Sequence, residues 1–136
     1  MLLSYLPKDS EYRPVLMESY LKMMKTLLKY QRENGMWGQV IDDAEFWDES
    51  SCTAMFAYAF VEGIRSGLLD EATYGPAARK AWVSLCGMLD EHGNIAEVCI
   101  GTGQKNSREH YLNRPRSNGD PHGQMAMMWL CCTLLK

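Results

Sequence analysis

The feature that most limits what this chain can fold into is an internal repeat. Glu33-Asn34-Gly35-Met36-Trp37-Gly38-Gln39-Val40 returns 58 positions on (35 to 93, 40 to 98) as Glu91-His92-Gly93-Asn94-Ile95-Ala96-Glu97-Val98, glycine against glycine and valine against valine. Each unit reads as helix, acidic-polar-glycine turn, short extended stretch, loop and helix. A repeat of this length is an αα-hairpin, which buries its apolar face only by stacking on a neighbour, and about three units are the normal minimum. The 136 residues hold two, at about 11–67 and 70–136. Met1–Pro7 adds what reads as the last turns of a further helix, ended by proline. The expectation is an all-α chain of two to three helical hairpins, a single partial domain at the tail of a longer repeat protein.

Hydrophobic spacing sets four helices in the repeat. The first follows Pro14 and runs to about Asn34, with Leu16, Tyr20, Met23, Leu27 and Tyr30 three or four apart and Gly35 as a left-handed stop. The second starts at a cap, Asp48 or Ser50, and runs to Ser66, with Gly67 beyond it. The third starts near Asp70, breaks at Gly75-Pro76 and continues to Leu89, with Ala77, Ala81, Trp82, Leu85 and Met88 on one face. The fourth takes Asp120 as cap and Pro121 as first residue. From Met125 to Leu135 it is apolar nearly all round, which predicts a helix enclosed on every side. Three neighbours hardly suffice. Met127, Met128, Leu130 and Cys131 are therefore expected to face protein these residues do not supply, and to drive self-association.

Charge and cysteine usage narrow the partners. The formal charge is −3 and the basic residues are scattered, which argues against a nucleic-acid face or a polybasic membrane patch. The longest apolar run is far short of the roughly 18 residues of a membrane span, and Met1–Leu6 lacks the length and positive flank of a secretory signal. Five cysteines, Cys52, Cys86, Cys99, Cys131 and Cys132, form no Cys-x-x-Cys and include an adjacent pair. They read as buried free thiols in a reducing compartment, hence a cytoplasmic location, and no spacing suits a metal. Gly101-Thr102-Gly103 lacks the following helix of a phosphate loop. No cofactor is expected.

Several motifs then occur in a telling order: Leu6-Pro7-Lys8-Asp9, Tyr12-Arg13-Pro14, Gly35-Met36-Trp37, and Glu49-Ser50-Ser51-Cys52-Thr53-Ala54-Met55-Phe56-Ala57-Tyr58-Ala59. Gly63-Ile64-Arg65-x-Gly67-x-Leu69-Asp70, Tyr74-x-Pro76-x-x-x-Lys80-Ala81-Trp82, and Arg114-Pro115 with Asp120-Pro121-His122-Gly123 follow. Together they resemble the C-terminal part of the unsaturated glycuronyl hydrolases, specifically the unsaturated rhamnogalacturonyl hydrolases of glycoside hydrolase family 105. The resemblance implies an (α/α)6 barrel. At the repeat length above, six hairpins need about 348 residues, so this chain is expected to supply the final third. The implied reaction removes a Δ4,5-unsaturated galacturonic acid from pectin-derived oligosaccharides. An aspartic acid protonates the vinyl-ether double bond, water adds, and the hemiketal collapses, unlike a two-carboxylate displacement.

By the resemblance that acid lies on an earlier hairpin, so no catalytic residue is expected here. Asp42-Asp43 is a carboxylate pair in a polar loop, and like charges can raise a pKa, but the resemblance assigns it no catalytic place. The substrate-binding candidates are Trp37, Arg114, Arg116 and His122. An indole can stack on a sugar face, a guanidinium pairs with a uronate, and His122 sits at a positive helix end. Each has a bland alternative: packing for Trp37, a solvated loop for the arginines, capping geometry for His122. The rival to a hydrolase is a non-catalytic helical-repeat module that binds a protein partner or itself.

Overall fold

A computed structural model describes residues 2–101 and 103–135; Met1 and Thr102, which figure in the sequence reading, lie outside them. The elements are α1 (Leu2–Tyr5), α2 (Arg13–Tyr30), α3 (Ser50–Arg65), α4 (Glu71–Cys86), β1 (Val98–Cys99), α5 (Arg108–Leu112), β2 (Arg116–Ser117) and α6 (Pro121–Leu134). The chain is mostly helical, with one small antiparallel pair in which Val98 faces Ser117 and Cys99 faces Arg116. Helix α3 is the centre. It packs along both α4 and α6 and only lightly against α2. Small residues let its neighbours approach: Ser50, Thr53, Ala54 and Ala57 are buried along it together with Phe60.

The repeat has a counterpart in the backbone. Arg32 N–H donates to Met36 O at 3.0 Å and Asp90 N–H to Asn94 O at 3.0 Å. Gly35 and Gly93 close the same turn at φ +87° and +78°, a region where a side chain would be strained. Trp37 and Ile95 follow at equivalent positions, and both are fully buried.

Helix boundaries differ from the expected ones in four places. Helix α2 ends at Tyr30, not near Asn34, because Gln31 turns extended and its amide donates to Gly35 O (3.0 Å) and Ala77 O (2.8 Å). Gly35 therefore belongs to a turn and is not the helix stop. Helix α3 is capped by Glu49, not by Asp48 or Ser50. Asp48 pairs instead with Arg32 at 2.7 Å. Helix α4 runs unbroken through Pro76. The carbonyl that loses its donor there belongs to Ala72, an exposed residue, so solvent is at hand to satisfy it. The same helix stops at Cys86 rather than Leu89, where the Met88 and Leu89 N–H groups donate three residues back, to Leu85 O (3.0 Å) and Cys86 O (3.4 Å), in place of four.

Helix α6 begins as expected at Asp120-Pro121 but is not enclosed. Met125, Met128 and Trp129 are 41%, 64% and 43% exposed, while Met127 and Leu130 are buried. Of the residues expected to face outward Met128 does so, whereas Met127 and Leu130 turn with Ala126 into the core. The thiols also divide: Cys99 is buried, but Cys86 and Cys132 are exposed at the margins of α4 and α6. Buried thiols were expected throughout.

Candidate functional site

Two segments, 37–49 and 96–99, meet over the start of α3, and Glu49 ties them. Glu49 is 3% exposed. Its oxygens accept from Ser51 N (3.2 Å), Cys52 N (2.6 Å) and Ser51 Oγ (2.8 and 2.9 Å), which satisfies otherwise orphaned helix donors. They also accept from Cys99 N at 3.0 Å, fifty residues along the chain. Glu49 N–H donates to Trp37 O at 2.9 Å, Ser50 N–H to Glu97 O at 3.1 Å, and Ser50 Oγ to Ala96 O at 2.6 Å. A negative charge at a helix N-terminus is favourable. Beside it, burial and the Glu49 charge push the Cys52 thiol well above its ordinary value, which disfavours the reactive thiolate.

Above this knot opens a cleft of about 380 Å³, walled by Gln39, Cys52, Cys99, Gly101 and His122 with Glu49 and Ser51 at its base. His122 is held by its Nδ1, 2.6 Å from Asp120 Oδ1. Gly123 lets α6 reach this place, because a Cβ there would lie 2.5 Å from Val98 Cγ2. Three buried side-chain polar atoms among the described residues have no partner: Gln39 Oε1, Trp47 Nε1 and Arg114 Nε. Each costs about 1–3 kcal/mol if left so. Of these residues Gln39 lines the cleft; Trp47 is joined to it through the backbone, its O accepting from Gln39 N–H at 3.0 Å, and Arg114 Nη2 donates to Gly101 O and, at 2.8 Å, to Ile100 O.

Around the mouth, arginines hold the 39–48 loop. Arg108 meets Asp43 at 2.7 Å and Glu45 at 2.5 Å, and Arg32 donates to Asp43 O at 3.2 Å. Arg108 keeps the Asp43 carboxyl below the usual carboxylate range, the opposite of what a general acid near neutral pH requires.

The sequence candidates therefore separate. His122 lines the cleft. Arg114 is at its edge but committed to backbone carbonyls. Arg116 pairs with Glu97 at 2.5 Å and lies over the Trp47 ring. Trp37 is fully buried, donating Nε1–H to Leu27 O at 2.8 Å and packed edge-on against Phe56 and Phe60. That leaves no ring face for a sugar, so Trp37 packs and does not form a platform. Sequence reasoning passed over Glu49, Gln39, Cys52 and Cys99 as cleft residues. The one available signal was Gln39, which follows the repeated turn two residues after Trp37.

The model of the family described as Glycosyl Hydrolase Family 88 matches residues 1–136. An unsaturated 3S-rhamnoglycuronyl hydrolase of Formosa agariphila is 30% identical over 100 residues, 72% of this chain and 26% of the relative. An unsaturated rhamnogalacturonyl hydrolase of Bacillus subtilis is 26% identical over 113 residues, 83% of this chain and 31% of the relative. The chain thus spans about a quarter to a third of these relatives. Among solved structures, a possible member of the GH105 family from Salmonella enterica overlays with TM-score 0.84 at 30% identity, covering 94% of this chain and 33% of its own. A GH105 hydrolase of C. acetobutylicum gives TM-score 0.83 at 26% identity, covering 96% and 40%. These neighbours are α/α toroids, and the hairpins described above are part of that architecture.

Proposed function

The chain belongs to glycosyl hydrolase family 88, and on that premise we propose that it serves in removing Δ4,5-unsaturated galacturonic acid from pectin-derived rhamnogalacturonan oligosaccharides. The reaction is hydration of the vinyl-ether double bond: a carboxylic acid protonates the alkene, water adds to the carbon bearing the ring oxygen, and the hemiketal opens to release the neighbouring sugar. The observation that carries this reading is the family match along all of residues 1–136, joined to the overlay on 94% of the chain.

Within this reading the residues build one wall of the substrate site, and the general acid comes from polypeptide outside them. Asp43 is engaged by Arg108 and its carboxyl is depressed. The Glu49 oxygens are filled by four donors. Neither suits a proton donor. The partner in this reading is an oligosaccharide, and no described helix is long and apolar enough to cross a membrane. The five free cysteines favour a reducing compartment such as the cytoplasm.

The test joins this chain to the part of the Salmonella relative that it does not overlay and follows loss of the conjugated double-bond absorbance of an unsaturated galacturonyl-rhamnose disaccharide. The chimera should turn over and the chain alone should not exceed buffer. Turnover by the chain alone would return the acid to these residues, with Asp42 and Asp43 examined first. A folded but inert chimera would overturn the reading.

A second reading, self-association, is favoured by one observation. Met125, Met128, Trp129, Leu134 and Leu135 are all substantially exposed along the end of α6, an apolar stripe of the kind that soluble monomers rarely leave open.

A further inference from the structure

Deepening the self-association reading, and resting on it and not on the hydrolase reading, we infer that copies of this chain join head to tail. Helix α6 of one copy lies in the groove between α2 and α3 of the next, and three copies close a ring. In a repeat array each unit offers the next one the face that its predecessor offers it. The helix starts set the register. Glu49 and Ser50, the cap and first residue of α3, answer to Asp120 and Pro121 of α6, 71 positions on (50 to 121). Helix α3 packs along α4 and α6, and its Ala54 and Ala57 are fully buried. Their counterparts on α6 are Met125 and Met128, both exposed. The side of α6 that a following hairpin would cover is therefore open and apolar.

The complementary face lies at the other edge of the chain. At the same register Tyr58 and Ala59 of α3 match Trp129 and Leu130 of α6. Leu130 is buried, and the Trp129 ring lies 6.1 Å from that of Tyr58, so this side of α6 turns back onto α3. Tyr58 and Ala59 themselves line a groove of about 350 Å³, shared with Leu16, Tyr20 and Met23 of α2. No described helix fills it. Helix α1 leaves it open, because Leu3 sits with Leu6 beside Ser66 and Leu68, whereas α6 at this register ends level with Gly63 (134 to 63). Charge permits the fit. Pro121–Leu134 brings no lysine, arginine or carboxylate, and Glu62, the one charged residue lining the groove, already accepts from Thr133 Oγ1; an unpaired charge there would oppose burial.

Curvature gives the number of copies. The chain covers 33% of the Salmonella toroid that it overlays, so its hairpins turn through about a third of a full circle. A head-to-tail contact repeated with that turn returns on itself at three copies, and a heterologous contact that closes makes a ring and not a filament. Every copy brings the same residues, so the ring adds no general acid, and the chain alone is still expected to be inert.

Sedimentation equilibrium of the full chain should return a species of three times 15.5 kDa. Met128→Lys spoils the α6 face and Met23→Lys spoils the groove, both at exposed positions. Each variant should keep its helical circular dichroism and sediment as one chain. Mixed in equal amounts the two should pair, because the intact α6 of Met23→Lys fits the intact groove of Met128→Lys. Pairing should stop at two chains, since both remaining faces are spoiled. A contact of α6 with α6 would instead leave Met23→Lys associated by itself. Any wild-type mass other than three chains, undiminished association in either variant, or no pairing in the mixture would overturn the inference. A wild-type mass of two chains would leave self-association standing, and a single chain would leave both faces to the polypeptide that completes the toroid in the relatives. Turnover by the chimera is read separately, so the hydrolase reading stands or falls on its own.

Discussion

Glu49→Gln is the sharpest test of how this region is held. The substitution keeps shape and volume but trades one carboxylate oxygen for an NH2 group. Whichever way the amide turns, that NH2 faces a buried donor. On one side is Cys52 N, 2.6 Å from Oε2; on the other are Ser51 N and Cys99 N, 3.2 and 3.0 Å from Oε1. One orphaned buried N–H costs about 1–3 kcal/mol, and losing a charge at a helix N-terminus costs about 0.3–2 kcal/mol more. Together the loss should be about 2–4 kcal/mol, a fall in Tm of roughly 10 °C for a chain of this size. Thermal unfolding followed by circular dichroism at one fixed protein concentration reads it, since association would otherwise shift Tm. Ser51→Ala removes a donor and leaves the acceptor intact, so it should cost only about 1 kcal/mol. Hydrogen exchange should show the Cys99 amide losing protection in Glu49→Gln and keeping it in Ser51→Ala. A loss under about 1 kcal/mol, or a Cys99 amide equally protected in both variants, would refute the idea that this carboxylate joins the loops.

Gly123→Ala should destabilise by about 1–3 kcal/mol by overpacking, because its Cβ would fall 2.5 Å from Val98 Cγ2; a wild-type denaturation midpoint would show that α6 can shift away. The Thr73 and Asn94 side chains hold the Asp70 and Asp90 carboxyls below their ordinary value of 3.8. Their folded-state pKa is lowered, so their contribution is full above that ordinary value and is lost as pH falls through the folded one. Stability should hold from neutrality to about pH 4 and decline below it, and an Asp70→Asn, Asp90→Asn double variant with an undiminished acid slope would count against this. In dilute solution, light scattering should return a mass above the 15.5 kDa of one chain, lowered by Met128→Lys. A 15.5 kDa species with one sharp thermal transition would rule out the open apolar stripe as an association face.

Much of the fold was legible because its signals are local. The turns at Gly35 and Gly93 depend on a positive φ that glycine adopts freely, so a repeated glycine 58 residues on marks the hairpin period by itself. Asp120-Pro121 reads as a helix start because capping needs only the next few residues. The family resemblance was legible for a related reason: ordered motifs along the chain carry it without any knowledge of contacts. Pro76 shows the limit of local rules. Proline predicts a break, but the helix continues, and the residue whose carbonyl it orphans is exposed to solvent.

The candidate site was less legible, because its parts are distant in sequence. The sequence alone determined the hairpin period, the start of α6 and a polar loop before α3, since each rests on the dihedral preference or capping chemistry of a few adjacent residues. Only the tertiary structure decided that Trp37 lies under Phe56 and Phe60 with no face to offer, and that Arg116 is spent on Glu97. It also decided that Glu49 caps α3 while reaching Cys99 across fifty residues. Glutamate ranks below serine, aspartate or asparagine as a helix cap, and its suitability here comes from the Cys99 amide that folding delivers to Oε1 beside the capped Ser51 amide. Hydrogen bonds of that kind are properties of the assembled core, where desolvation makes every unpaired donor costly. No window of neighbouring residues contains both partners, and so no reading of the sequence could have placed them together.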